Sequence, residues 1–141
     1  MHPLQQNDTG SFQELAHASD VAFGQLSLLT IAPRCKRGGH YHTHKEEWFC
    51  CLHGRCYLIL IGVYSKRQRS LALDDAHKEF VGINSYEAHI VLNPYDQECE
   101  LLVISSGEYD PENPDTVTYR EYPEECEVHG VQNCPSCKEP K

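Results

Sequence analysis

The chain is poor in positive charge: 12 Lys plus Arg stand against 21 Asp plus Glu, for a formal net charge of -9. A field of that sign repels phosphate backbones, so nucleic acid is excluded as a bulk partner. A small phosphorylated ligand survives the argument, because one nearby Arg or Lys outweighs the global field at short range. Long apolar runs are missing as well. The longest, CYLILIGVY from Cys56 to Tyr64, falls far short of the ~20 residues a membrane span needs. The opening MHPLQQNDTGSFQEL has neither a basic n-region nor an apolar h-region, so no signal peptide is expected. A soluble, cytoplasmic protein with no membrane partner follows as the expectation. There is no G-x-G-x-x-G, hence no dinucleotide-binding half, and no internal repeat.

What is present reads as β structure. With 141 residues the chain is long enough for one domain with a real core. Residues 1–20 are polar and mixed, with a short helix expected around FQELAH. From Val21 onward short β-rich runs alternate with turn signals: AFGQLSLLTIAP, EEWFCCLHG, RCYLILIGVYS, RSLALDD, KEFVGI, EAHIVLNP and CELLVISS. That rhythm is the mark of an all-β sandwich or barrel, and no sustained 3.6-residue period competes with it. His53-Gly54, Asp74-Asp75 and Asn93-Pro94 mark turns. Of the eight cysteines, Cys35, Cys50, Cys51, Cys56 and Cys99 lie in or beside strand-like runs. They are expected to be reduced, acting as small hydrophobes.

The chemistry concentrates in GGHYHTHKEEWFCCLHG, Gly38 to Gly54. His40 and His42, two apart on a strand, point to one face and can meet one ion. Glu47 opens the next strand, sharing a face with Phe49 and Cys51. A fourth ligand is expected from His89 in YEAHIVLN. His44 is in phase with His40 and His42 if the strand runs on, as a competing ligand or a pocket acid/base. Any one of these alone reads as a surface histidine; the joint spacing H-x-H-x4-E-x6-G, then H-x3-N, reads as a metal site. Three imidazoles and a carboxylate suit Zn(II), Fe(II), Mn(II) or Ni(II), and spacing does not choose among them.

At these residues the chain resembles a cupin. GGHYHTHKEEWFCCLHG is similar to the first cupin motif, with His40, His42 and Glu47 as ligands and Gly54 closing the turn. GINSYEAHIVLN resembles the second, with His89 as ligand and Asn93 in its usual place, while Asn84 and Tyr86 stand where that motif carries proline and glycine. GQLSLLTIAP, RGGHYHTHKEE and YDPENPDT together resemble, over about Val21 to Tyr119, the C-terminal cupin half of bacterial capsular-polysaccharide epimerase/reductases. More distantly the chain is similar to cupin isomerases and epimerases of dTDP-keto-sugars. The resemblance implies a cupin double-stranded β-helix, a jelly-roll barrel, over residues 21–120. It implies zinc as the divalent metal, a homodimer, and epimerisation or isomerisation of a nucleotide-linked keto-sugar for surface polysaccharide. The reductase half of those enzymes is expected to be absent.

For that chemistry His44, Lys45 and Tyr86 are the candidate proton carriers, and Lys45 matches a lysine of the capsule-enzyme motif. Tyr57 is a candidate at the substrate, and Arg37 is placed to meet a diphosphate by bidentate hydrogen bonds. Two other readings remain open. One is an Fe(II) oxygenase. The other is a non-catalytic sugar- or metabolite-binding barrel, which a pocket plugged by Trp48, Tyr41 and Tyr86 would favour. The Cys/His tail, residues 121–141, holds Cys126, His129, Cys134 and Cys137, which read either as a Cys3His set at the spacing of a second, structural zinc or as incidental thiols on a flexible tail.

Overall fold

The computed structural model describes residues 2–120. Their regular structure is entirely β, without a helix. Eleven strands form: β1 (Gln5–Asn7), β2 (Gly10–Phe12), β3 (Gln25–Ile31), β4 (Cys35–Tyr41), β5 (Glu47–His53), β6 (Arg55–Gly62), β7 (Gln68–Asp74), β8 (Val81–Ile83), β9 (Glu87–Asn93), β10 (Cys99–Ser105) and β11 (Val117–Thr118). They make a hairpin β1-β2, a four-stranded sheet β3-β10-β5-β8 and a five-stranded sheet β11-β4-β9-β6-β7. Every pairing is antiparallel.

Alternation along each strand decides what lies between the two sheets. Phe49 and Cys51 of β5, Cys56, Leu58 and Leu60 of β6, Val91 of β9, and Cys99, Leu101 and Val103 of β10 form one buried cluster. The intervening residues Ile59, Ile61, Ala88, Ile90 and Leu92 point the other way and pack with Tyr119, Tyr41, Tyr57 and Val63 on the outer face of the five-stranded sheet. The outer face of β3 is different: Leu26 and Leu28 are exposed. The three turns expected at His53-Gly54, Asp74-Asp75 and Asn93-Pro94 form. Asn93 is fully buried, and its side-chain amide donates to the carbonyls of Ile31, Ala32 and Gln97.

The helix expected at FQELAH does not form. Phe12 ends β2, and residues 13–17 run irregularly, with Gln13 donating to the His2 carbonyl instead of continuing a helical ladder. β4 was not among the strand-like runs of the sequence, since CKRGGHY carries charge and two glycines. Those glycines make the strand useful. Cys35 packs toward the core and Arg37 lines the interior cavity. Strict alternation would then send His40 outward. A register shift between Gly38 and His40 inserts one step, with φ of +106° at Gly38 and +84° at Gly39. The bulge turns His40 and His42 to the same side as Arg37. A Cβ at Gly38 would lie 2.8 Å from the His89 carbonyl oxygen, so the close approach of β4 to β9 also requires glycine there.

Candidate functional site

Three strands deliver the site. His40 comes from the bulged end of β4 and His42 from just beyond it. Glu47 opens β5, and His89 lies on β9 directly across from His40. Ligand atoms of His40, His42, Glu47 and His89 all lie within 4.8 Å of one another. They line a pocket of about 430 Å³ with Arg37, Lys45, Phe49, Ser105, Tyr109 and Thr116 among its other walls.

The hydrogen bonds define which atoms face the centre. Nδ1 of His42 bonds the Asp115 carbonyl, and Nδ1 of His89 lies 3.4 Å from the Glu87 carbonyl. Each carbonyl accepts, so each Nδ1 carries a proton, and the Nε2 atoms are left to converge on Glu47. Oε1 of Glu47 is 2.8 Å from Nε2 of His42 and 3.3 Å from Nε2 of His89. Ser105 donates its hydroxyl to the other oxygen at 3.1 Å. Burial pushes the Glu47 carboxyl up, but hydrogen bonding to His42 and then His89 outweighs it and holds the group below its ordinary range. A buried carboxylate thus faces two imidazole nitrogens whose lone pairs point at it unless a cation, a proton or a metal ion, lies between. His40 makes no hydrogen bond through its ring among the described residues. Burial, and then the neighbouring His89 and His42, push it down to about 4, so it is neutral at ordinary pH and offers a lone pair. Ionised carboxylate plus neutral imidazole is the protonation state a divalent ion needs, so the residues fit one.

Asp115, in the YDPENPDT segment and not among the expected site residues, organises the loop between β4 and β5. Its carboxylate accepts from the amides of Thr43 (2.7 Å), His44 (2.8 Å) and Lys45 (2.9 Å) and from the Thr43 hydroxyl, while its carbonyl holds His42. The signal was available: an Asp after proline, opposite a segment of free amides. Burial raises the Asp115 carboxyl, but the Thr43 hydroxyl and the three amides together keep it low.

Of the other predicted residues, Lys45 and Arg37 line the pocket. His44 does not: β4 ends at Tyr41, so the strand does not run on, and His44 sits exposed on the loop. Tyr57 follows the period of β6 to the outer face, where it bonds Tyr95 at 3.0 Å. Tyr86 also lies away from the pocket, its ring against Tyr41 and Tyr64. It occupies the turn that the second cupin motif gives to glycine, at φ +59° with its amide bonded to the His42 carbonyl at 2.7 Å. Trp48, Tyr41 and Tyr86 therefore leave the pocket unplugged; its aromatic walls are Phe49 and Tyr109. Cys126, His129, Cys134 and Cys137 fall outside the described residues.

Residues 5–117 match the family model described as the polysaccharide biosynthesis C-terminal domain. The chain belongs to that family. One curated member-like relative, a UDP-2-acetamido-2,6-beta-L-arabino-hexul-4-ose reductase of Pseudomonas aeruginosa, is 26% identical over 114 residues, covering 81% of this chain and 30% of the relative. The capsular polysaccharide assembling protein CapF of Staphylococcus aureus superposes with a TM-score of 0.67 at 23% identity, over 85% of this chain and 34% of CapF. The dTDP-6-deoxy-D-glucose-3,5-epimerase RmlC of Legionella pneumophila, solved with dTDP-4-keto-L-rhamnose, gives 0.72 at 15% identity over 85% and 70%. The chain thus spans about a third of the first two proteins. Its barrel is the cupin fold of these sugar-nucleotide epimerases and capsule enzymes. Among the described residues no helix is long and apolar enough to cross a membrane.

Proposed function

We propose that this polysaccharide-biosynthesis domain epimerises or isomerises a nucleotide-linked keto-sugar in a pocket that holds a divalent metal, zinc foremost, through His40, His42, Glu47 and His89. The observation that carries the reading is the convergence of the Nε2 atoms of His42 and His89 on one Glu47 oxygen, beside a neutral His40. When bound, the ion supplies positive charge at the pocket floor, where a ketone oxygen gains negative charge as its α-proton leaves. Lys45 reaches the same space from the loop that Asp115 fixes, and it carries the proton to or from the carbon beside the ketone. Tyr109, whose amide is bonded to Gln25 at the rim, is the phenol placed to return a proton from the other side. Arg37, exposed at the wall formed by β4, meets the diphosphate. Phe49 and Val103 exclude water from the inner end.

The protein works as a homodimer in this reading, supported by Leu26 and Leu28 standing exposed on β3, the edge strand of the four-stranded sheet. The test is solvent deuterium exchange into UDP- and dTDP-linked 4-keto-6-deoxy-sugars, with elemental analysis of the same sample. Exchange at the carbon beside the ketone, lost on removing the metal and restored by zinc, supports the proposal. No exchange with any of these sugars ends it. Iron with oxygen uptake instead would make the site an oxygenase.

A further inference from the structure

A second constellation lies outside the pocket, at the base of the N-terminal hairpin. His2 precedes β1, and Glu14 and His17 follow β2, so the two strands lie between the first of these residues and the other two. Ligand atoms of His2, Glu14 and His17 lie within 4.8 Å of one another. Oε1 of Glu14 is 2.8 Å from Nδ1 of His17 and 3.9 Å from Nδ1 of His2, and the two rings meet edge to face with centroids 4.4 Å apart. Asp20 adds the outer support. Its Oδ2 is 3.0 Å from Nε2 of His2 and accepts the His17 amide at 2.7 Å. With that carboxylate holding the proton on Nε2, Nδ1 of His2 is left as a lone pair turned toward Glu14. Carboxylate–histidine–metal arrangements have this form.

Two features separate this cluster from an ordinary surface network. Among the described residues, the ion-pair partners of Glu14 and Asp20 are imidazoles and not lysine or arginine, so the two carboxylates keep their attraction for a cation. The hairpin strands also find no burial: every residue of β1 and β2 is exposed. A two-stranded hairpin is marginal in water without burial or a clamp.

We infer that His2, Glu14 and His17 form a surface site for a borderline divalent ion such as zinc, with Asp20 orienting His2, and that the ion clamps the base of the β1-β2 hairpin. Tetrahedral zinc with bonds of about 2.1 Å separates its ligand atoms by about 3.4 Å. The His17–Glu14 pair opens and the His2–Glu14 pair closes by roughly half an ångström each to accept it. The open fourth position takes water or a partner's side chain.

The experiment uses the full chain and zinc alone. Bound zinc is counted by equilibrium dialysis and elemental analysis for the parent chain, His17→Ala and Asp20→Asn. Amide hydrogen exchange over residues 5–12 is followed with and without the ion. Because counts are compared between variants, zinc in the pocket or on the tail cancels. The parent should bind one more ion than His17→Ala, and Asp20→Asn should weaken that ion about tenfold. In the parent, zinc at ten times its dissociation constant should slow hairpin exchange by about tenfold, and in His17→Ala it should not. Equal counts in parent and His17→Ala, or hairpin exchange unmoved by zinc in the parent, overturn the inference and leave a hydrogen-bonded surface network.

Discussion

Two ends of one barrel hold residues that metals favour, imidazoles and a carboxylate at one and thiols at the other, and their surroundings differ as much as their chemistry. At one end Glu47, His40, His42 and His89 surround a pocket open to solvent. About four residues further along β5, roughly 13 Å at strand rise, Cys51 meets Cys99 with sulfurs 3.9 Å apart, beside Cys56. The first end is supplied with hydrogen-bond partners that keep the carboxylate charged. At the second the thiols meet apolar walls, one another and, for Cys51, the carbonyls of His53 and Gly54. The Cys99 thiol is lowered by its bond to Cys51, but the bond to Cys56 and burial outweigh that and push it up to about 12. Cys51 is pushed up by its bond to Cys99 and by burial. Thiolate is the ligand form of cysteine, so these thiols stay protonated core atoms. The difference teaches that metal-favouring residues make a site only where their partners hold them in the ligating protonation state.

Glu47→Ala breaks the comparison most severely, because it removes the one charge on which the imidazoles converge. Retention of a divalent ion should fall by more than about 100-fold, read by competition with a chelating dye. Deuterium exchange into the keto-sugar should vanish with it.

Asp115→Ala comes next. It leaves every ligand in place but frees the 43–45 loop, whose amides and Thr43 hydroxyl it holds. Ion affinity should fall by about 10–100-fold, while the metal-free chain keeps its circular dichroism spectrum. Asp115→Asn, still able to accept, should recover part of the loss. A merely structural Asp115 would lower the melting temperature and leave the affinity of the folded protein alone.

Gly38→Ala tests the bulge. At φ +106° and 2.8 Å from the His89 oxygen, the added methyl both strains the chain and pushes β4 from β9. A stability loss of about 1–3 kcal/mol is expected by urea titration, with weakened ion binding because His40 and His42 lose their phase.

How much of this was legible follows from the same contrast. Strands β3 and β5 to β10 announced themselves through apolar runs between turn signals, and the four ligands through their spacing. β4 did so only at its histidine end, because the bulge that aims its histidines is written as Gly-Gly, which reads as a loop. His44, Tyr57 and Tyr86 were expected near the substrate from sequence proximity. Proximity along a chain says nothing of face, and one step of a period-2 strand sends Tyr57 to the opposite side of the sheet from Leu58. Asp115 was missed for the converse reason: it acts on the 43–45 loop from 70 to 72 residues away. β1, β2 and β11 are short and exposed, without the alternation that marks a half-buried strand.

Acid sharpens the comparison more gently. The folded-state value of His40, about 4, lies below its ordinary 6.5, so as pH falls the unfolded chain takes up that proton first. Stability held by the neutral ring is complete above about 6.5 and drains away as pH drops toward about 4. The depressed Glu47 carboxyl acts in the same direction at lower pH. In chelator, the urea midpoint should decline across that window, and His40→Gln should flatten the decline. A parent midpoint that stays level there would mean His40 is not held neutral.

The smallest effect is expected at the thiol end. Cys99→Ala removes one sulfur from a fully buried position, and the loss of packing should cost about 1–2 kcal/mol. The ion count, its affinity and the deuterium exchange should stay at parent values, because Cys99 packs in the apolar core and is not among the pocket-lining residues. Were the ion count instead to drop by one, the thiols would have to be binding as thiolates. The Cys56 bond and the burial that raise Cys99 to about 12 would then yield to the ion, and the contrast between the two ends would collapse into two metal sites in one barrel.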